Sequence, residues 1–208
     1  MTEDALVAMV DDDPIVLRAL ARLIGSVGLR VETFPSAQAF LDYRLPDRPA
    51  CLVLDVQLPG RSGLELQAFL TQAGRDIPIV FITGRGDVPT SVNAMKGGAV
   101  DFLQKPFEDQ ALLDAVFRAL DRSRERIAER SGRADIERRL ASLTPREREV
   151  LPLVVAGMLN KQIASALGAA EKTVKVHRGR IMVKMEANSV ADLVRMAEKL
   201  GIGAASRP

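Results

Sequence analysis

The first 122 residues are organised by a repeating change of period, in which short apolar runs alternate with longer amphipathic stretches. That alternation is the pattern of strands joined by helices around a parallel sheet, because a run of four to six apolar residues suits a strand and is too short for a stable helix. Five strand candidates follow: Leu6 to Val10, Leu29 to Phe34, Cys51 to Val56, Ile79 to Thr83 and Asp101 to Gln104. Each is short enough to be buried on both faces between helical layers. Asp13 followed by Pro14 marks a helix start, since a carboxylate caps free N–H groups and proline suits the first helical position.

Beyond Phe107 the pattern becomes helical, through Leu112, Leu113, Val116, Phe117 and Leu120, and then loses its apolar stripe in the charged stretch from Arg122 to Arg139. That stretch reads as a linker, either a solvated extension of the preceding helix or partly disordered, with its expected break at Ser131-Gly132. A second, all-helical domain begins near Leu143: Thr144, Pro145 and Glu147 form a capping box, Gly157 ends the first helix, Asn160 caps the next and Gly168 lies in the turn after it. The expected layout is an α/β domain over residues 1–122, a charged helical linker over 123–141 and a small all-α domain over 142–208. Charge divides along the same line, with 12 basic and 17 acidic side chains in residues 1–122 against 11 and 6 in residues 141–208. A basic rear domain can approach a phosphate backbone.

Met1 to Ala5 lack the basic and apolar stretches of a leader, and no apolar run approaches the roughly 18 residues of a membrane span, so no membrane is expected and the location expected is cytoplasmic. The single cysteine, Cys51, lies in an apolar run and reads as a buried thiol.

The polar residues of the first domain cluster at one place. Asp11 and Asp12 follow the first strand, Asp55 ends the third, Thr83 ends the fourth and Lys105 follows the fifth. Ligand sites of open parallel sheets form at that carboxyl edge. Three carboxylates in one crevice repel each other unless a hard divalent cation such as magnesium bridges them, and a nearby lysine adds a mobile positive charge. Taken singly, each aspartate has a plain alternative as a helix cap, the use assigned to Asp13.

The segments Val10-Asp11-Asp12-Asp13, Leu54-Asp55-Val56-Gln57-Leu58-Pro59-Gly60, Ile82-Thr83-Gly84 and Lys105-Pro106-Phe107 resemble the receiver domain of two-component response regulators, a five-stranded, doubly wound, flavodoxin-like fold. Gly86-Asp87-Val88-Pro89 with Ala94-Met95-Lys96 looks like the nitrogen-fixation subfamily. The resemblance implies that Asp55 accepts a phosphoryl group from a sensor histidine kinase. It further implies that Asp12 and Asp55 hold Mg2+ with the Gln57 carbonyl, that Asp11 supports them through water, and that Lys105 and Thr83 contact the phosphoryl oxygens. Thr83 and Phe102 would form the switch, with plain core packing as the other use of Phe102. Lys105-Pro106 is a candidate cis bond.

In the rear domain, Leu143, Val150, Leu151, Val154, Ile163, Leu167, Val174, Ile181 and Met185 can pack three short helices. The runs from Leu143 to Leu151, Asn160 to Ala164 and Thr173 to Arg178 resemble the LuxR (quorum-regulator) type of helix-turn-helix. By that resemblance the helix from about Glu171 to Met185 enters the major groove. Lys175 and Val176 match base-reading positions; Lys161, Thr173, His177 and Arg180 are candidates for backbone contacts; Lys172 and Arg178 suit either role. His177 has helix packing as its alternative. The helix from Ser189 to Leu200 carries Val190, Leu193, Val194 and Ala197 on one face, for pairing two domains or for packing on its own. Ala170 replaces the usual Ser or Thr cap, and Gly179 stands where relatives place a longer side chain.

The function these resemblances imply is a regulator that is phosphorylated on Asp55, forms a homodimer, binds promoter DNA and acts on RNA polymerase, as an activator. Enzymatic activity is expected only as slow self-phosphorylation and autodephosphorylation. Two other readings compete: a magnesium-dependent aspartyl phosphatase, which usually has a second carboxylate where Gln57 stands, and constitutive DNA binding with the first domain as a docking module.

Overall fold

The computed structural model describes residues 4–84 and 88–202, so Gly86 and Asp87 of the subfamily-like segment lie outside the described residues. The chain divides into two compact units, Met1–Ile127 and Ala128–Pro208.

The first unit is a parallel five-stranded sheet in the order β2-β1-β3-β4-β5, formed by β1 (Leu6–Val10), β2 (Arg30–Phe34), β3 (Ala50–Asp55), β4 (Ile79–Thr83) and β5 (Asp101–Gln104). Helices α1 (Pro14–Ser26), α2 (Ala37–Asp42), α3 (Gly63–Gln72), α4 (Val88–Lys96) and α5 (Asp109–Ala141) follow the strands in turn. Side chains alternate across a strand, so each inner strand feeds two cores. Val7, Met9, Cys51, Val53, Val80 and Ile82 pack with α1 and α5 on one face. Ala8, Val10, Leu52, Leu54, Phe81 and Ile79 pack with α2, α3 and α4 on the other. Fully burying side chains of this size contributes about 1.5–3 kcal/mol each, which explains why the inner strands read as continuous apolar runs rather than alternating ones.

Burial on both faces does not extend to every strand. The outer strand β2 exposes Arg30, Glu32 and Thr33 and begins one residue later than its apolar run, and β5 at the opposite edge is only partly buried. An edge strand has a neighbour on one side only, so polar side chains there carry no burial penalty. Strand β3 is shifted one residue toward the N-terminus, Ala50–Asp55 rather than Cys51 to Val56.

The local signals at helix starts act as the sequence implies. Asp13 Oδ1 accepts from the Ile15 N–H at 2.7 Å ahead of Pro14. Thr144 and Glu147 form a reciprocal capping box on α6 (Pro145–Val155).

Two further expectations fail. Helix α5 does not break at Ser131-Gly132 but runs without interruption to Ala141. One glycine costs a helix about 1 kcal/mol. Against that, Arg133 pairs with Glu137 one turn on at 2.9 Å, and Ile136 and Leu140 pack in the core of the second unit. The other failure is the cap of α7 (Asn160–Leu167), which is Leu159 rather than Asn160. The Asn160 carboxamide oxygen is taken by Arg178 at 3.2 Å, and Gln162 Oε1 accepts the Leu159 N–H at 2.8 Å instead.

The described part of the second unit is helical. With the end of α5, it comprises α6, α7, α8 (Glu171–Lys184) and α9 (Val190–Lys199) around Leu143, Val150, Leu151, Val154, Ile163, Val174, Ile181, Met185 and Leu193. Among the described residues no helix is long and apolar enough to cross a membrane.

Candidate functional site

Strand register alone assembles the first site. Val10 lies opposite Leu54, so Asp11 and Asp55 sit at the ends of neighbouring strands. Asp55 lies opposite Ile82, which places Thr83 one residue further, and Thr83 lies opposite Gln104, which places Lys105 beyond it. Asp11, Asp55 and Lys105 line an open cleft of about 800 Å³ at the carboxyl edge of the sheet, together with Asp12, Gln57 and Gly84, and Thr83 lies buried behind it.

The cleft is strongly anionic. One oxygen from each of Asp11, Asp12 and Asp55 lies within 4.8 Å of the others. Asp11 is 1% exposed and Asp55 7%. The Lys105 ammonium is 2.7 Å from Asp11 Oδ2 and 3.6 Å from Asp55 Oδ2. Burial pushes the Asp55 carboxyl above its ordinary pKa, Lys105 opposes that shift, the Asp11 charge adds to it, and the Gln57 N–H, 3.3 Å from Asp55 Oδ1, lowers it. A carboxylate of raised basicity at the floor of an open cleft is suited to nucleophilic attack. Three carboxylates against one ammonium leave two negative charges uncompensated, and all-oxygen donors at this spacing fit a hard divalent cation.

Thr83 is fully buried at the end of β4, and its carbonyl accepts the Lys105 N–H at 2.7 Å. Phe102 is partly buried, with its ring centroid 6.3 Å from that of Phe81. The Lys105-Pro106 bond is cis. One residue of this site escaped the sequence reading: a Cβ on Gly63 would stand 2.3 Å from the Asp55 carbonyl oxygen, so only glycine lets the start of α3 close against β3. The signal was present in Ser62-Gly63-Leu64-Glu65, a capping box with glycine at its first helical position immediately after the Asp55 loop.

In the second unit α8 exposes Lys172, Thr173, Lys175, Val176 and Arg180, and Lys161 is exposed at the start of α7. His177 is half-buried and its Nδ1 has no hydrogen-bond partner. Arg178 has partners within its own unit. Its guanidinium is half-buried and donates to the Met158 carbonyl at 3.3 Å and to Asn160 Oδ1 at 3.2 Å, clamping the turn between α6 and α7 onto α8. Ala170 makes no side-chain cap, as its chemistry requires. Glu147 is buried and accepts from the Thr144 N–H at 2.9 Å and from Lys184 at 2.7 Å, bonds that hold its carboxyl down to a pKa of about 2, with the Lys184 bond the larger cause.

Residues 7–117 match the family described as the response regulator receiver domain, and residues 141–197 match the bacterial regulatory proteins of the luxR family. Nodulation protein W of Bradyrhizobium diazoefficiens is 52% identical over 200 residues, covering 96% of this chain and 88% of its own. The transcriptional regulatory protein FixJ of Azorhizobium caulinodans is 45% identical over 205 residues, covering 99% and 97%. The response regulator StyR superposes with a TM-score of 0.83 at 50% identity, covering 94% of this chain and 99% of that one. An acidic cleft at the switch point of a parallel sheet and an exposed basic helix in a separate unit thus occur in a chain that belongs to the response regulators, with a receiver domain followed by a luxR-family DNA-binding domain.

Proposed function

We propose that this regulator is switched by a phosphoryl group carried on Asp55. The observation that supports the reading best is the convergence of Asp11, Asp12, Asp55 and Lys105 from the ends of three separate strands on one open cleft. An Asp55 oxygen forms a bond to phosphorus as the P–N bond of a kinase phosphohistidine breaks, and the imidazole nitrogen keeps the electron pair. Asp11, Asp12, Asp55 and the Gln57 carbonyl would hold Mg2+, which when bound supplies positive charge to the phosphoryl oxygens. Lys105 adds its own charge to the same oxygens. Self-phosphorylation from small donors and slow self-dephosphorylation use the same groups.

Thr83 and Phe102 report the event to the surface of α4 and β5. Two loaded chains then associate, bringing two α8 helices to paired half-sites on promoter DNA in the cytoplasm, where the complex acts on RNA polymerase as an activator. Lys175 and Val176 read bases, and Lys161, Lys172, Thr173, His177 and Arg180 meet the phosphates. Arg178 acts by holding the turn before α7 against α8.

The test is to incubate wild type and Asp55→Asn with Mg2+ and beryllium fluoride or a small phosphodonor, then to measure intact mass and DNA affinity. A mass gain with tighter DNA binding, lost in Asp55→Asn, is expected. Equal and unresponsive DNA binding by both proteins refutes the switch.

A further inference from the structure

Helix α4 is buried only near its C-terminal end. Of its residues, all of them described, Ala94 alone is buried, while Val88 and Val92 nearer the start are 75% and 41% exposed. The fixed end is fastened by a side chain from another helix. Gln67, a buried polar residue of α3, donates its Nε2–H to the Ala94 carbonyl at 3.1 Å. The same carbonyl accepts the Ala99 N–H at 3.2 Å, so one oxygen carries both the closure of α4 and its tie to α3.

Room for that tie depends on Gly97. A Cβ there would lie 2.5 Å from the Gln67 side-chain oxygen. Gln67 and Gly97 also line a cleft of about 290 Å³ between the end of α3 and the turn before β5. The cleft opens beside the carboxamide, so solvent entering it could take over the hydrogen bonds when the tie breaks.

We propose that Gln67 is the pivot of the switch: it pins the C-terminal turn of α4 at the Ala94 carbonyl, so that movement behind Thr83 becomes a tilt of the α4 surface. Gln67 is a positioning residue, lining a different cleft from the one that holds Asp55. The inference rests on the reading of Asp55 as phosphoacceptor. Without the pin, displacement at the start of α4 dissipates as a loosening of the whole helix and the altered surface is less sharply defined.

The test uses the full chain as wild type, Gln67→Met and Gly97→Ala. Methionine keeps the shape and removes the donor, and alanine at 97 displaces the carboxamide from the opposite side. Each protein is treated with Mg2+ and beryllium fluoride, with loading followed by native mass spectrometry and self-association by sedimentation. Both variants are expected to load like wild type, while their loading-dependent association falls about fivefold, the factor that one lost hydrogen bond corresponds to. Wild-type association in both loaded variants overturns the pivot. Parallel losses of loading and melting temperature overturn it too, because they indicate a structural role only. A wild type that does not load overturns the reading of Asp55, and the pivot with it.

Discussion

Protonating Glu147 should weaken the second unit in a defined pH window. Glu147 is 1% exposed, and its Oε2 accepts from both the Thr144 N–H and the Lys184 ammonium. Its carboxyl titrates at about 2 when folded, against about 4.3 in an unfolded chain. A depressed carboxyl contributes stability that is present above the unfolded value and is lost as pH falls from about 4.3 toward 2. Counted in full, roughly two pKa units correspond to about 3 kcal/mol. The Lys184 side chain is 33% exposed, and solvent screening of that half of the pair reduces the figure to about 1–2 kcal/mol. Glu147→Gln keeps an acceptor for Thr144 and removes the charge. In urea unfolding followed by far-UV circular dichroism, the variant should be less stable than wild type by that amount at pH 7. The difference should shrink steadily below about pH 4.3, to a small remainder at about pH 2, where folded Glu147 is half protonated, while the acid sensitivity of the carboxylates in the first unit cancels in the comparison. A variant as stable as wild type at pH 7, or a deficit that persists unchanged at pH 2, would refute the reasoning.

The remaining predictions concern other positions. Gly179→Ala should stabilise α8 by about 1 kcal/mol, because the added Cβ meets nothing within 4 Å; a lower melting temperature or weakened DNA binding would count against it. Arg178→Met should weaken DNA binding about equally across target sequences by releasing the Met158 and Asn160 clamp, whereas Lys175→Met should alter the preference among targets; binding selections on randomised duplexes separate the two. The Cys51 thiol, fully buried and pushed up to about 12, should resist alkylation in the folded protein and react on unfolding, as timed labelling followed by intact mass will reveal.

What was legible in the sequence was whatever depends on residues close together in the chain. Strand runs, caps and the carboxyl-edge cluster are local patterns, and three of the five strands have the bounds read from them. Asp11, Asp55, Thr83 and Lys105 could be gathered because parallel strands all end at the same edge. Interactions that join distant elements left no such trace. Arg178 presents the same composition whether it faces DNA or clamps Asn160, and Gln67 reads as one more polar residue of a surface helix. Gly132 looked like a breaker because the burial of Ile136 and Leu140, which with the pairing of Arg133 and Glu137 outweighs it, depends on helices that come later in the chain.

The burial of Ile136 and Leu140 in the rear core means that the unit of inheritance and the unit of folding have different edges. The luxR-family match begins at residue 141, yet the apolar surface beneath α6 is covered by side chains that precede it. A fragment cut at the family boundary would leave that surface bare. A self-sufficient DNA-binding fragment must start ahead of Asp135, within the exposed turns of α5.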